Sequence, residues 1–168
     1  MTERIRNREK FRLSSSVFVF LLDGDNILLL LRSNTGWFDN HYTVPCGMKD
    51  PREPARWAAK REVQEEIGVE LDVLDLQYVH FMHCRTTGEE WYGLYYLLTR
   101  WEGQPELREP HKHGELKWVP ITELPKNMSP YVLQAIQRFK TGEADSEFGW
   151  ELADDATEDD YKNYYSEQ

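Results

Sequence analysis

Two apolar runs open the pattern. Val17 to Leu22 and Ile27 to Leu31 are rich in β-forming residues, with Asp23-Gly24-Asp25-Asn26 between them. The runs predict a strand over 14–22 and another over 27–32, joined by a tight turn. Polar residues do not alternate with the apolar ones, so both strands are expected to be covered on two faces. After a loop over 33–40, a short strand at 42–44 leads into Pro45-Cys46-Gly47. A helix is predicted over 54–67, with Pro54 near the first turn and Gly68 as its stop. Strands follow over 71–85 and 91–101, turned by 86–90, and a short one over 116–119 before Pro120. A second helix spans 129–140, with Ser129 as N-cap, Pro130 at the first position and Gly142 past the end. Strands, helix, strands, helix is the order of an α/β protein: a mixed β-sheet with a helix on each face, an α/β/α sandwich.

Charge divides the chain more sharply than hydropathy does. The 168 residues carry a net charge of −10, from 20 Lys+Arg and 30 Asp+Glu. Residues 143–168 hold ten of the acids and one base, Lys162, so the remainder is close to neutral. The chain is therefore read as a basic N-terminal segment over 1–13, a folded domain over 14–142 and an acidic, aromatic-containing tail over 143–168. A length of this order is one domain. The tail contains Phe148, Trp150, Tyr161, Tyr164 and Tyr165. Solvating tails have few aromatics, so 148–152 is expected to dock on the body. A near-neutral body excludes a broad basic face for duplex nucleic acid. The basic N-terminal segment is a solvated or strand-edge stretch by default, with phosphate, RNA or the acidic tail as its other candidate contacts. No apolar run is long enough to span a bilayer, and the N-terminus lacks the apolar core of a secretory signal. Two cysteines 38 positions apart, with no CxxC pair, suit a reduced, cytoplasmic setting.

The chemistry concentrates between Gly47 and Val69. At about 100° per residue, Glu65 lies about 60° to one side of Glu62 and Glu66 about 40° to the other. Ala55, Ala58 and Ala59 continue the same side one to two turns earlier. Three crowded carboxylates repel one another unless a cation relieves them. A hard divalent ion with oxygen ligands, Mg²⁺ above all, suits such a cluster and bridges to phosphates. Arg61 can orient or neutralise a carboxylate, and Gly47 lets backbone approach a metal or phosphate closely. The three acids alone also describe a solvated helix face paired with Lys60 and Arg61. The alanines count against that reading, because a solvent face has no need of small side chains.

The segment resembles the Nudix box, G-x5-E-x7-R-E-U-x-E-E-x-G-U, where U is aliphatic. Gly47, Glu53, Arg61, Glu62, Val63, Glu65, Glu66, Gly68 and Val69 occupy every fixed position. The resemblance implies the Nudix α/β/α sandwich and a Mg²⁺-dependent pyrophosphohydrolase, with Mn²⁺ able to substitute, acting on a nucleoside diphosphate linked to a further group. It implies Glu62, Glu65 and Glu66 as metal ligands, with Glu62 near the general-base role. Glu53 becomes a supporting carboxylate, Arg61 the orienting arginine and the carbonyl of Cys46 a backbone metal ligand. Arg100-Trp-Glu-Gly-Gln-Pro105, followed by Glu109, is similar to the segment after the box in mutator-type nucleoside triphosphate pyrophosphohydrolases. By that likeness Glu109 joins the metal site, with a share in the base role. Arg32 resembles a strand-ending arginine that touches phosphate.

The sequence also departs from the family pattern. Pro45-Cys46-Gly47 stands where Pro-Gly-Gly is usual, Arg52 where Gly is common and Asp50 where many members have Glu. Cys46-Gly47 is similar to the same place in isopentenyl diphosphate isomerases, which share the fold. The complete box favours hydrolysis over isomerisation, and Cys46 is read as structural. His111 and His113 are expected as a loop pair near the mouth of the site, and His80 and His83 as packing or pocket-lining residues. Trp37, Phe38, Trp91 and Tyr92 are candidates for stacking a nucleobase, with core packing equally open. The expected activity is hydrolysis of a (deoxy)nucleoside triphosphate to monophosphate and pyrophosphate by a monomer or homodimer. ADP-ribose, dinucleoside polyphosphates and capped RNA are the other substrate classes. A non-catalytic nucleotide-binding module is the second reading, and it would be expected to lose box carboxylates that are all present here.

Overall fold

A ten-residue strand, β1 (Ser14–Asp23), organises the sheet in the computed structural model, which describes residues 12–166. Most of the basic N-terminal segment lies outside the described residues. Along one edge β1 runs parallel to β6 (Glu89–Leu98). Its other edge is divided between β4 (Cys46–Met48), opposite Ser16–Phe18, and β2 (Asn26–Arg32), opposite Leu22 and Asp23. Between the two, Val19 N donates to Pro45 O at 2.9 Å. The strand order is β3 (Tyr42–Thr43), β2, β1, β6, β5 (Gln77–Thr86), β8 (Asp145–Phe148), and β7 (His113–Pro120) pairs with β2. β1 with β6 and β5 with β8 are the parallel pairs, so the sheet is mixed.

Alternate residues of β1 serve opposite faces, as the unbroken apolar run requires. Val17, Val19 and Leu21 join Leu28 and Leu30 beneath helix α1 (Ala55–Ile67), against Ala58, Ala59, Val63 and Ile67. Phe18 and Phe20 join Ile27 and Leu29 beneath α2 (Pro130–Thr141), against Val132, Ala135 and Ile136. The result is the expected α/β/α sandwich. All of these residues except Phe18, at 3 %, are fully buried. Each large aliphatic among them contributes about 1.5–3 kcal/mol by leaving water. The two alanines let α1 lie close on β1. Both helices end where glycine permits it: Gly68 and Gly142 have φ of 72° and 75° and take left-handed caps.

Several expected boundaries move. The strand predicted over 71–85 begins only at Gln77. Asp72 accepts a hydrogen bond from Leu74 N at 2.9 Å and caps a 3-10 turn over Val73–Asp75, while Leu71 and Leu76 turn into the α1-side core. The strand predicted over 91–101 starts at Glu89 and stops at Leu98. β7 begins at His113, not Leu116, so His113 belongs to a strand and only His111 to the preceding turn. β4, β8 and α3 (Glu158–Ser166) were not anticipated as elements.

The break in composition at residue 142 is not a break in packing. β8 adds to the sheet in parallel with β5, placing Phe148 opposite Cys84. Phe148 is fully buried, stacked between Tyr161 of α3 (5.9 Å between centroids) and Tyr165 (4.3 Å). α3 starts with a reciprocal cap: Thr157 N donates to Asp160 Oδ2 at 2.7 Å, and Asp160 N donates to Thr157 Oγ1 at 3.4 Å. No helix among the described residues is long and apolar enough to cross a membrane.

Candidate active site

The acidic face of α1 is half buried and half open. Glu62 and Glu66 are 8 % and 4 % exposed, whereas the Glu65 side chain stands out in solvent at 51 %. Burial pushes the Glu62 carboxyl above its ordinary value and the Glu66 carboxyl well above it, and the Glu62 charge adds to the second effect. Glu62 lies against β4 so closely that a Cβ on Gly47 would sit 2.1 Å from its Cδ. A side chain at position 47 would displace the Glu62 carboxylate.

Arg61 ties the box together. Its Nε and Nη2 donate to the two oxygens of Glu53 at 2.9 and 3.0 Å, a two-pronged pairing. Nη2 also reaches Met48 O at 3.1 Å, and Nη1 reaches Glu62 Oε1 at 2.6 Å and Glu65 Oε2 at 3.4 Å. This pairing holds the Glu53 carboxyl below the usual range. Glu53 also accepts from Asp50 N at 2.9 Å, closing the loop between β4 and α1. Arg52 in that loop, where the family commonly has glycine, has φ of 66°. That is the left-handed region glycine adopts most readily.

Glu109 reaches the same place by a different route. The segment before β7 is stitched to the last turn of α1, with Glu106 N donating to Ile67 O and Arg108 N to Glu66 O, each at 2.9 Å. Glu109 then lies beside Glu66 and His113, with one ligand atom from each within 4.8 Å of the others. Lys112 Nζ pairs with both Glu109 oxygens at 2.8 and 3.0 Å. The other Glu66 oxygen accepts from Cys46 N at 2.9 Å. His113 is 2 % exposed, its Nε2 is 3.6 Å from Glu66 Oε1 and its buried Nδ1 has no hydrogen-bond partner among the described residues. Burial lowers its pKa to about 4, so the ring is neutral at pH 7 and free to act as a ligand. Two carboxylates and a neutral imidazole at this spacing fit a divalent cation. Cys46 is a poor nucleophile: burial pushes its thiol up to about 12, and Thr43 Oγ1 lies 3.6 Å from its sulfur.

Glu62, Glu66, Cys46, Lys112 and His113 line a cavity of about 530 Å³, and Glu109 lies beside it against Glu66 and His113. Arg32 borders it, with Nε bonded to Trp37 O at 2.6 Å and Nη2 to Thr35 Oγ1 at 3.0 Å. The rings of Phe18, Trp37, Trp91 and Tyr131 line the same cavity. Phe38 is fully buried in the core, and Tyr92 packs on His83 and Phe81, so neither lines the cavity. His80 is an internal strut between Glu143 O and Ser146 Oγ, each at 2.9 Å. A larger concavity, about 640 Å³, lies between Trp57, Glu70 and Trp101. It touches none of the box carboxylates, so the smaller cavity is the chemically equipped one. Lys112, Tyr131 and Thr86 were not singled out from sequence. The i, i+3 spacing of Lys112 to Glu109 was the one available sign.

The NUDIX domain model matches residues 12–139. No curated protein matches the sequence. The chain is similar in structure to a MutT NUDIX hydrolase from Burkholderia pseudomallei, with TM-score 0.70 and 24 % identity over 76 % of this chain and 98 % of that one. The E. coli ORF135 protein has TM-score 0.66 and 20 % identity over 77 % and 90 %. A MutT protein from Methanosarcina mazei Go1 has TM-score 0.63 and 19 % identity over 80 % and 97 %. At these identities the structures attest the fold alone. The family match spans most of the chain, from the first sheet strand through the second helix, and the chain belongs to the Nudix family.

Proposed function

We propose that the protein is a Mg²⁺-dependent hydrolase that cleaves a phosphoanhydride bond in a (deoxy)nucleoside triphosphate, releasing monophosphate and pyrophosphate. The observation that carries this reading is one cavity lined both by buried carboxylates and by four aromatic rings. That combination suits a substrate with a charged polyphosphate and a flat base.

Glu66, Glu109, Glu62 and Glu65, with the carbonyl of Cys46, are the groups we assign to holding the cation, and Mn²⁺ can replace Mg²⁺. When bound, the cation neutralises charge on the phosphate oxygens and lowers the pKa of the attacking water. Glu62 takes the proton from that water, its basicity raised by burial, and Glu109 is the other carboxylate placed for the role. The water oxygen bonds to phosphorus as the bridging oxygen leaves with the pyrophosphate. Arg61 fixes the Glu62 carboxylate and is itself fixed by Glu53. Arg32 and Lys112 offer positive charge to the phosphates, and the Gly47 backbone borders the same cavity. Trp37 and Trp91 face the base. The body is nearly neutral, which supports a small nucleotide over duplex nucleic acid as partner. Both cysteines are free, which supports a cytoplasmic protein, and the chemistry needs no more than a monomer or homodimer.

The test is Mg²⁺-dependent turnover of a panel of nucleoside triphosphates, ADP-ribose, diadenosine polyphosphates and a capped RNA, with products assigned by phosphorus NMR and Glu66→Gln as control. Cleavage of a triphosphate to monophosphate, lost in the variant, supports the reading. Binding of nucleotides without cleavage of any of them refutes it in favour of a binding module.

A further inference from the structure

We propose that the C-terminal segment, from β8 through α3, positions two loops that border the cavity, and that Tyr161 and Glu158 set nucleotide affinity without touching the nucleotide. The inference rests on the nucleotide reading of that cavity.

The two loops come from distant parts of the chain. The loop after β2 supplies Thr35 and Trp37, and the β5–β6 turn supplies Thr86, Thr87 and Glu89. Each contains a non-glycine residue held in left-handed backbone, Phe38 with φ of 47° and Thr87 with φ of 51°. Such conformations persist when neighbouring structure holds them. At both residues the group that holds the amide belongs to α3. Phe38 N donates to Glu158 Oε1 at 3.0 Å, and Thr87 N donates to the Tyr161 hydroxyl at 3.1 Å. The Tyr161 hydroxyl in turn donates to Arg85 O at 3.2 Å. Arg85 reaches back across the segment, pairing with Asp154 Oδ1 at 2.6 Å and with the carbonyls of Trp150 and Leu152. Gly149 packs so tightly that a Cβ would lie 2.0 Å from Arg85 O.

The segment is anchored independently of these contacts, through β8 in the sheet and the buried rings of Phe148 and Tyr161. It can therefore hold both loops at once. Among the described residues, no side-chain hydrogen bond or ion pair joins 143–166 to α1 or to the segment carrying Glu109. Its influence should reach the cavity through these loops and not through the carboxylates. Trp91 relays it, because its Nε1 donates to Thr86 Oγ1 at 2.8 Å beside Thr87.

The experiment uses the full chain with point variants. Tyr161→Phe keeps the stacked ring and removes the hydroxyl. Glu158→Ala removes the acceptor for Phe38 N, while Glu158→Gln retains a carbonyl oxygen there. Amide hydrogen exchange is followed over 33–41 and 86–91. Binding of the four deoxynucleoside monophosphates is measured by tryptophan fluorescence, and hydrolysis of the four triphosphates with Mg²⁺ gives KM and kcat. Tyr161→Phe should speed exchange in 86–91 and Glu158→Ala in 33–41. Each should raise Kd and KM about fivefold, the effect of one lost hydrogen bond, with kcat within about twofold. Glu158→Gln should resemble wild type. Unchanged exchange overturns the proposal, as does faster exchange with unchanged Kd and KM. Wild type that binds none of the nucleotides defeats the nucleotide reading and this proposal with it, a failure visible before any variant is made.

Discussion

Replacing Gly47 with alanine tests whether the site depends on a carboxylate held to within an ångström. The added Cβ would lie 2.1 Å from Glu62 Cδ and 2.2 and 2.3 Å from its oxygens, where ordinary contact begins near 3.4 Å. The carboxylate must retreat by about 1.3 Å. Its freedom to do so is limited, because Arg61 Nη1 holds Oε1 at 2.6 Å and Arg61 is itself forked on Glu53. A displacement of about 1 Å at a reacting group costs on the order of 10²-fold in rate. Backbone strain does not enter, since Gly47 lies in an extended strand opposite Val17 and outside the left-handed region. Loss of chain freedom in the unfolded state favours alanine by about 0.4–1 kcal/mol, so Tm should move by only a few degrees. The expected result is a fall in kcat/KM of roughly 10²-fold, with weaker Mn²⁺ binding by electron paramagnetic resonance and a nearly unchanged melting curve. Gly114→Ala is the matched control. Its Cβ would meet only Leu31 and Ser33, at 3.8 and 3.9 Å, and it should behave as wild type. A Gly47→Ala protein with wild-type kcat/KM and Mn²⁺ affinity would show that the Glu62 position does not govern the chemistry.

Glu66→Gln preserves an acceptor for Cys46 N but removes a buried charge, so turnover should fall by about 10²-fold or more while the metal-free protein melts no lower than wild type. Because burial raises the Glu62 and Glu66 pKa values, the folded state keeps protons that the unfolded chain has lost above pH 4.5, and metal-free stability should fall as pH rises through the folded pKa values. His113, lowered to about 4, acts in the opposite sense between about 4 and 6.5, and the stabilisation by Mg²⁺ in a melting assay should grow as rising pH ionises the two carboxyls; a flat response would contradict the assignment. Arg61→Lys keeps the charge and loses the fork on Glu53, and kcat/KM should drop about 10- to 100-fold; near-wild-type kinetics would assign Arg61 a purely electrostatic part. Cys46→Ser should leave turnover within about twofold, because a thiol with a pKa near 12 is protonated at neutral pH, and a large loss would reopen a chemical role for it.

Much of this was legible from local pattern. The unbroken apolar runs of β1 and β2 predicted strands covered on both faces, and the structure places α1 and α2 there. The 3.6-residue period placed Glu62, Glu65 and Glu66 on one side with Ala55, Ala58 and Ala59; Glu62, Glu66, Ala58 and Ala59 are buried there, while Glu65, at the edge of the arc, is exposed. The misplaced strand at 71–76 shows the limit. Leu71 and Leu76 do reach the core, but the Asp72 cap makes a turn between them and leaves Leu74 exposed, and an alternating pattern of so few residues does not separate strand from turn. The composition break at 142 misdescribed the packing for a similar reason: net charge reports the exposed residues, while Phe148 and Tyr161 decide where the segment goes.

The sequence by itself determined the two helices with their glycine stops, the paired early strands and the spacing that sets the carboxylates on one helical face. These depend on residues within one or two turns of each other, where periodicity and backbone preference act directly. Tertiary structure alone decided that Glu65 stands in solvent while His113 joins Glu66 and Glu109, that Gly47 lies against Glu62, and that α3 holds Phe38 and Thr87. Each is a meeting of segments brought together by the pairing of β1 with β4 and β6, of β2 with β7 and of β5 with β8. Strand partners are selected by burial summed over the whole sheet, so local pattern does not contain them.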